Sequence, residues 1–437
     1  MRAITTFAAV LLFAASASAQ TWSLTDCISY ALDNNISVKQ SKLAVDQREN
    51  DLSTAKARRL PGVSAGASQN FSFGRGLTAD NTYANTNTGS TSFSLGADMA
   101  LFQGLSIKNN IEMSKLNLAA ATVDLEKARD DIRVAVAQAY VQILYNKEIL
   151  QVAESQIKVD SMQVERLTAM MQNGKASQAE VSAQKSTLAR SELTRTQARN
   201  NLNISLLDLS QLLELPSPEG FDIEVPSADA FQTGLLMNPE EIYAEAVEIK
   251  PVVRSEQIRL ENAETNIRMA KGSFLPSLSL NGGIGSNYYN ASGRTSDNFG
   301  TQLKNNFSQY VGLSLNIPVF SRLSNRNGVR SAQIQYDNQL LQLENVRKKL
   351  YKEIQQAYYS AVASESKYLS SIAAENSALE SFQITEAKYE GGMATITEFN
   401  ESKTRWMEAA SNLAQARYEY LYQTKLLDFY RGQDIRF

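Results

Sequence analysis

The chain has no histidine and a single cysteine, Cys27, in 437 residues. Without histidine there is no Ser-His-Asp or Cys-His nucleophile, no His-ligated zinc and no imidazole general base. With one cysteine there is no intrachain disulfide, even in an oxidising compartment. The remaining carboxylates are spread along the chain rather than gathered, so no catalytic residue, metal site or cofactor is expected. Gly174-Lys175-Ala176-Ser177 has the tail of a phosphate-binding loop. The position five before Gly174 is Ala169, however, and the surroundings are helix-forming, so the motif fails. A balance of 43 Lys+Arg against 46 Asp+Glu gives no reason to invoke nucleic acid. Long hydrophobic runs are missing as well. Met1-Arg2, an apolar run over 3–15 and Ala17-Ser18-Ala19 read as a secretory signal peptide, 1–19. No later stretch has the apolar length of a membrane-spanning helix. Leu24-Thr25-Asp26 ahead of Cys27 is not a lipobox, so Cys27 is expected as a small core residue on a helix.

Proline and glycine are scarce and unevenly placed, 8 and 21 residues. Neither occurs between Leu105 and Asn173, between Lys175 and Leu215, between Val329 and Glu390, or between Met393 and Arg431. These runs are rich in Ala, Gln, Glu, Lys, Arg and Leu, all good helix formers. At 1.5 Å per residue, the first and third predict helices roughly 90–100 Å long, far beyond an ordinary globular helix. Gly174 divides the first pair of runs and Gly391-Gly392 the second, which predicts two antiparallel helical hairpins with tight tips. A coiled coil and a tube both remain open on the helices alone.

Four segments alternate with period two. Residues 63–73 place Val63, Ala65, Ala67, Phe71 and Phe73 against Ser64, Gly66, Ser68, Asn70 and Ser72. Residues 92–101, 278–288 and 309–319 do the same, for example Val311, Leu313 and Leu315 against Gly312, Ser314 and Asn316. Each has one apolar and one small polar face and about 10 residues, the length of a tilted transmembrane strand. The connecting segments 74–91 and 289–308 are rich in Asn, Thr, Ser and Gly, as suits exposed loops.

The chain also repeats itself. Leu60-Pro61 recurs as Leu275-Pro276, Phe102 as Phe320, Ala139-Tyr140 as Ala357-Tyr358, Gly174 as Gly392 and Lys185 as Lys403. From Phe102 onward the offset stays at about 218 positions, the mark of an internal duplication. The expected organisation is a first repeat over 20–215, a linker with an equatorial element over 216–240, a second repeat over 241–431 and a tail over 432–437. Residues 221–225 are the short strand of that linker. The fold class is mainly α with a transmembrane β-barrel contribution. Lipid cannot satisfy an open sheet edge, and four strands are too few to close, so the chain must oligomerise. Two copies would give eight strands and three would give twelve.

Leu24-Thr25-Asp26, Ala31-Leu32, Asn34-Asn35, both Leu-Pro turns, Ile317-Pro318-Val319-Phe320 and both tips, in this order and duplicated, resemble the TolC family of outer-membrane efflux and secretion proteins. The resemblance covers nearly the whole mature chain. It implies a homotrimer with one twelve-stranded barrel and a periplasmic tunnel of twelve helices. It also implies work with a periplasmic adaptor (membrane fusion) protein and an inner-membrane pump, in the outer membrane. By position, Glu398 and Glu401 correspond to the family's acidic ring at the gate. Tyr389 and Glu180 correspond to its gate lock. The family's gate arginine falls on Ala394, with Lys175 a substitute to consider. Gly174, Lys175, Gly391 and Gly392 mark the tips as the adaptor-docking surface. Ala100 stands where the family usually has the proline found at Pro318, and Arg322 where it often has the glycine found at Gly104. The competing reading is a periplasmic coiled-coil adaptor or scaffold without a channel, which leaves four strands of membrane length unexplained.

Overall fold

Ser23 sets the first helix going. Its side chain accepts from the Asp26 N–H while the Asp26 carboxylate reaches back to the Ser23 backbone, a reciprocal cap. The computed structural model describes residues 20–77, 82–226, 231, 234, 236–292 and 295–437. The segment read as a signal peptide, 1–19, lies outside the described residues, as do parts of the linker and of both exposed loops. In chain order the elements are β1 (Gln20–Trp22), α1 (Leu24–Asn34), α2 (Ile36–Ala57), β2 (Gly62–Ser72), β3 (Arg75–Leu77), β4 (Tyr83–Asn85), β5 (Thr88–Gln103), α3 (Ser106–Gln172), α4 (Gln178–Leu212) and β6 (Phe221–Ile223). There follow α5 (Pro239–Ile249), α6 (Pro251–Gly272), β7 (Ser277–Ala291), α7 (Phe299–Asn305), β8 (Ser308–Asn316), α8 (Ser324–Glu390) and α9 (Ile396–Tyr430). The glycine-free runs are helical as expected. α3 and α8 have 67 residues each, and α4 and α9 have 35 each.

Two compact units divide the chain, and both halves of the sequence contribute to each. One comprises residues up to Lys42, Leu125–Val253 and Arg347–Phe437; the other comprises Leu43–Asp124 and Arg254–Val346. In the first, Cys27 is fully buried on α1, and burial pushes its thiol up to about 12, so it is an inert core residue. β6 pairs in parallel with β1. The duplication shows in the helix joints. Asn35, between α1 and α2, donates to the Leu212 carbonyl at the end of α4 (3.0 Å). Lys250, between α5 and α6, donates to the Phe429 carbonyl at the end of α9 (2.7 Å). Each joint thus satisfies a carbonyl that a helix end leaves without an intrahelical partner. Burial holds the Lys250 ammonium below the usual lysine range, with Asp130 pulling it back up.

The second unit holds one antiparallel sheet in the order β2-β5-β7-β8. Register aligns the four apolar faces. Ala65 pairs with Leu95, Leu95 with Ile284, and Gly282 with Val311, so Phe93, Leu280 and Leu313 share that side. Ser64, Ser94, Asn281 and Ser314 lie on the other, where Ser68 and Ser92 hydrogen-bond at 2.7 Å. Pro318 has no N–H to give, and β8 ends at Asn316; Ala100 lets β5 run on through a bulge to Gln103. The expected loops carry more structure than their composition suggested. β3 and β4 form a small hairpin in the first, and Asn298 caps α7 in the second.

Both strand-to-helix turns use the same backbone in spite of their different residues. Gly104 and Leu105 have φ of 55° and 64°, and Arg322 and Leu323 have 51° and 64°. A Cβ on Gly104 would lie 2.1 Å from the Gly272 carbonyl oxygen, so glycine is required where α3 meets α6. Arg322 is exposed and meets no such obstacle. It bears a left-handed conformation that disfavours a side chain by roughly 1–2 kcal/mol. Arg322→Gly should therefore stabilise by about 1 kcal/mol, the entropy of the unfolded glycine taking back part of the gain. Gly104→Ala should destabilise. Thermal unfolding in detergent compares the two signs.

Candidate functional site

The two hairpin tips share one construction. Gly174, at φ 69°, closes α3 with bonds from its own N–H to the Met171 carbonyl (2.9 Å) and from the Lys175 N–H to the Met170 carbonyl (2.8 Å). Gly392, at φ 75°, repeats this on α8 with the Tyr389 (3.1 Å) and Lys388 (2.7 Å) carbonyls. These are left-handed glycine caps. The next helix then starts on a capping box. Glu180 receives the Ser177 N–H at 2.6 Å and its hydroxyl at 2.9 Å, and Glu398 receives the Thr395 N–H and hydroxyl at the same distances. Those bonds hold both carboxyls below the usual glutamate range. A side chain at Gly174 or Gly392 would meet nothing within 4 Å. Lys175 and Gly391 are exposed beside them.

Between the hairpins α3/α4 and α8/α9 lies a polar network. Asp160 on α3 and Lys403 on α9 form an ion pair in which both side chains are almost wholly buried. Asp160 also accepts from the Ser191 hydroxyl (2.6 Å) and the Gln184 amide (3.2 Å) of α4. Asn400 on α9 donates to Gln184 (3.3 Å). Five side chains from three helices therefore meet, and all but Asn400 are buried from solvent. The seam is not fully satisfied, since among the described residues the Asn400 amide oxygen is buried without a partner.

Towards the tips, Arg166 of α3 lies over the Tyr389 ring of α8, 5.0 Å from its centroid. Its guanidinium donates to the Glu390 carbonyl oxygen (3.1 Å) and lies 3.5 Å from the Glu390 carboxylate. Burial holds the Tyr389 hydroxyl above the usual tyrosine range. Arg166 and the Gln163 amide pull it down, and the Glu180 charge pushes it up. Burial, then Glu390, raises the Glu386 carboxyl, with Arg166 opposing. Tyr389 also packs on Phe399, which packs on Phe382, which stacks on Trp406 (5.5 Å and 5.2 Å for the last two).

The structure thus gathers Tyr389, Glu180 and the candidate ring acids at one end of the two hairpins. Within the chain, Glu180 bonds its own cap, and Tyr389 takes Arg166 and Gln163 as neighbours. Glu398 and Glu401 are exposed, and Glu401 has Arg405 at 3.6 Å. Ala394 offers no cation, and the cation beside Tyr389 is Arg166 on the opposite hairpin, which sequence reasoning did not single out. The duplication marks Lys403 only as the match of Lys185. Its spacing with Phe399 and Met407 puts it on a buried face and was the available signal.

On the four-stranded sheet the apolar face is open. Val311 and Leu313 are 84% and 67% exposed, and Phe71 is 65% exposed. Asp98 is the one charged residue of the four strands and lies on the polar face, opposite Gly62 and Asn281. A sheet with one apolar face, one polar face bearing a single charge and two free edges is a segment of a membrane barrel wall.

The sequence profile of outer membrane efflux proteins matches residues 27–214 and again 242–433. The chain belongs to that family. The two matches follow the duplication. Relatives include the outer membrane protein TolC of Escherichia coli strain K12, 26% identical over 79% of this chain and 71% of that one. Among solved structures, the CmeC outer membrane channel of Campylobacter jejuni superposes with a TM-score of 0.77 at 19% identity, covering 94% of this chain and 86% of that one. The outer membrane protein VceC of Vibrio cholerae superposes with a TM-score of 0.74 at 18% identity, covering 94% and 97%. The family member described here is an outer-membrane efflux channel subunit, with its helical part in the periplasm. Its four strands are a share of a barrel that one chain does not close.

Proposed function

We propose that three copies of the chain complete a twelve-stranded barrel and a periplasmic tunnel, and that the assembly is a passive duct. A periplasmic adaptor and an inner-membrane pump deliver its cargo, and the chain performs no catalysis. Repeats over 20–215 and 241–431, the linker 216–240 and the tail 432–437 are its organisation. The observation that carries this reading is the open sheet with its lipid-ready face and its free β2 and β8 edges. In lipid those edges must pair with another copy. Cys27 is buried, so new cysteines report cleanly. Pairs placed on β2 at Ser64 or Ser68 and on β8 at Ser314 should crosslink into covalent trimers in detergent. Monomers that retain strand structure and never crosslink would contradict the shared barrel.

The tips are the proposed adaptor-docking surface, with Gly174, Lys175, Gly391 and Gly392 at its centre. Helix hairpins present such faces to other helices. Because Gly174 and Gly392 face open space, a large side chain there adds local strain of roughly 1 kcal/mol and projects outward. Gly174→Trp and Gly392→Trp should leave trimers in the membrane and abolish export, read as efflux-dependent growth. Export that survives both changes would place docking elsewhere.

The gate is the proposed role of the polar cluster. Glu398 and Glu401 contribute six carboxylates in a trimer, and Tyr389 with Glu180 forms the lock. Arg166 takes the part that Ala394 cannot, ahead of Lys175.

A further inference from the structure

Antiparallel pairing brings four strand ends to one edge of the sheet: Ser277, at the start of β7, pairs with both Gln103 and Asn316, the last residues of β5 and β8, and β2 begins there at Gly62. The chain next to this edge is strongly basic. Arg58 and Arg59 precede β2, Lys271 precedes β7, Lys108 follows β5, and Arg322 and Arg326 follow β8. Glu112 and Glu264 are the acids in the same stretches, and each is already next to a cation, Lys115 at 3.6 Å and Arg268 at 3.7 Å. Where Gly104 and Gly272 bring α3 and α6 together, Leu105, Lys108, Asn109, Glu112, Arg268 and Lys271 line a cleft of about 500 Å³. Lys108 and Lys271 are exposed, and among the described residues neither has an ion pair. Leu105 is 50% exposed in the same cleft, and Phe320 at the neighbouring strand end is 80% exposed.

We propose that this cleft binds an anionic phospholipid of the periplasmic leaflet, with Lys108 and Lys271 on the phosphate and Leu105 against the glycerol and upper acyl chain. The inference rests on the sheet spanning the outer membrane. Cations placed just beyond an apolar band lie at headgroup depth, and basic clefts at that depth hold anionic headgroups. The exposed leucine within the cleft favours a lipid over a free anion, which has no use for an apolar wall.

The full-length assembly, released from mixed micelles, is examined by native mass spectrometry with phosphatidylglycerol and phosphatidylethanolamine as competing probes. Phosphatidylglycerol should be retained roughly tenfold better, the preference falling as salt rises. Lys108→Gln with Lys271→Gln should abolish the preference and leave conductance in neutral bilayers unchanged. Lys108→Arg with Lys271→Arg should keep the preference, which decides the matter even if the glutamine pair fails to assemble. Equal retention of the two lipids by the wild type overturns the proposal. So does competition by inorganic phosphate at equal charge concentration, which marks a free-anion site. A glutamine pair that alters ion selectivity and leaves lipid retention intact places the cations in the lumen and also overturns it. Failure of the protein to insert at all counts instead against the channel reading.

Discussion

Lys403→Met, with Asp160 left in place, is expected to destabilise each protomer by about 3–5 kcal/mol. The Asp160 carboxylate is buried and keeps only the Ser191 hydroxyl and the Gln184 amide once the ammonium is gone. Two neutral donors do not replace a charge in a region without solvent. The pair itself is worth far less than its rupture, because burying both ions already offsets most of their attraction. Lys403→Met combined with Asp160→Leu should therefore recover most of the loss. Asp160→Asn alone should fall between, since Lys403 is then the unmatched charge. Denaturant unfolding in detergent reads all four proteins. A single Lys403 variant within about 1 kcal/mol of wild type would mean that the seam admits water.

Arg166→Ala is expected to hold the channel open for most of the time. Each protomer loses a cation–π contact worth about 0.5–2 kcal/mol and a charge-assisted bond to the Glu390 carbonyl. Taking about 2 kcal/mol per protomer, three copies acting together contribute roughly 6 kcal/mol, and about 5.5 kcal/mol suffices to move a 1:99 equilibrium to 99:1. Tyr389→Phe keeps the ring beneath Arg166 and removes only the hydroxyl, so it should raise mean conductance by less. Glu398→Gln with Glu401→Gln should lower cation selectivity and block by trivalent cations, because the proposed ring of six carboxylates would concentrate cations at a narrow axis. Glutamine also completes a capping box, so the double variant removes charge without removing the start of α9. Full block and selectivity in that variant would move the acidic ring to Glu386 and Glu390. Unchanged gating in Arg166→Ala would leave Lys175 as the next cation to test.

Much of the fold was legible because its punctuation is sparse. Gly174 and Gly391-Gly392 interrupt otherwise uninterrupted helix-forming runs, and the period-two faces of β2, β5, β7 and β8 came out in one register. The helix α7 was hidden because Asn298, its cap, sits in a polar stretch that also reads as loop. The parallel pairing of β1 with β6 joins three-residue segments too short to show a period. The Arg322 turn could not be read at all, since only the backbone shows that arginine has taken a glycine's conformation. The places of the two tips, at Gly174 and Gly391-Gly392, were legible, and the roles proposed for the residues near them rest on the family resemblance. Their partners were not legible: Arg166 meets Glu390 across 224 positions, and Asp160 meets Lys403 across 243. Ala378 occupies the place of Asp160 in the second repeat, so the duplication offered no hint of that pair.

Single-channel recording of the purified wild-type protein in planar lipid bilayers tests the central claim most directly. Addition should produce discrete, cation-selective conductance steps of one unit size, each step the entry of one trimer. Those steps should be reduced by trivalent cations from the side that the helical tips face. Bilayers that stay silent while the protein remains soluble without detergent would contradict the channel and return the chain to a helical scaffold.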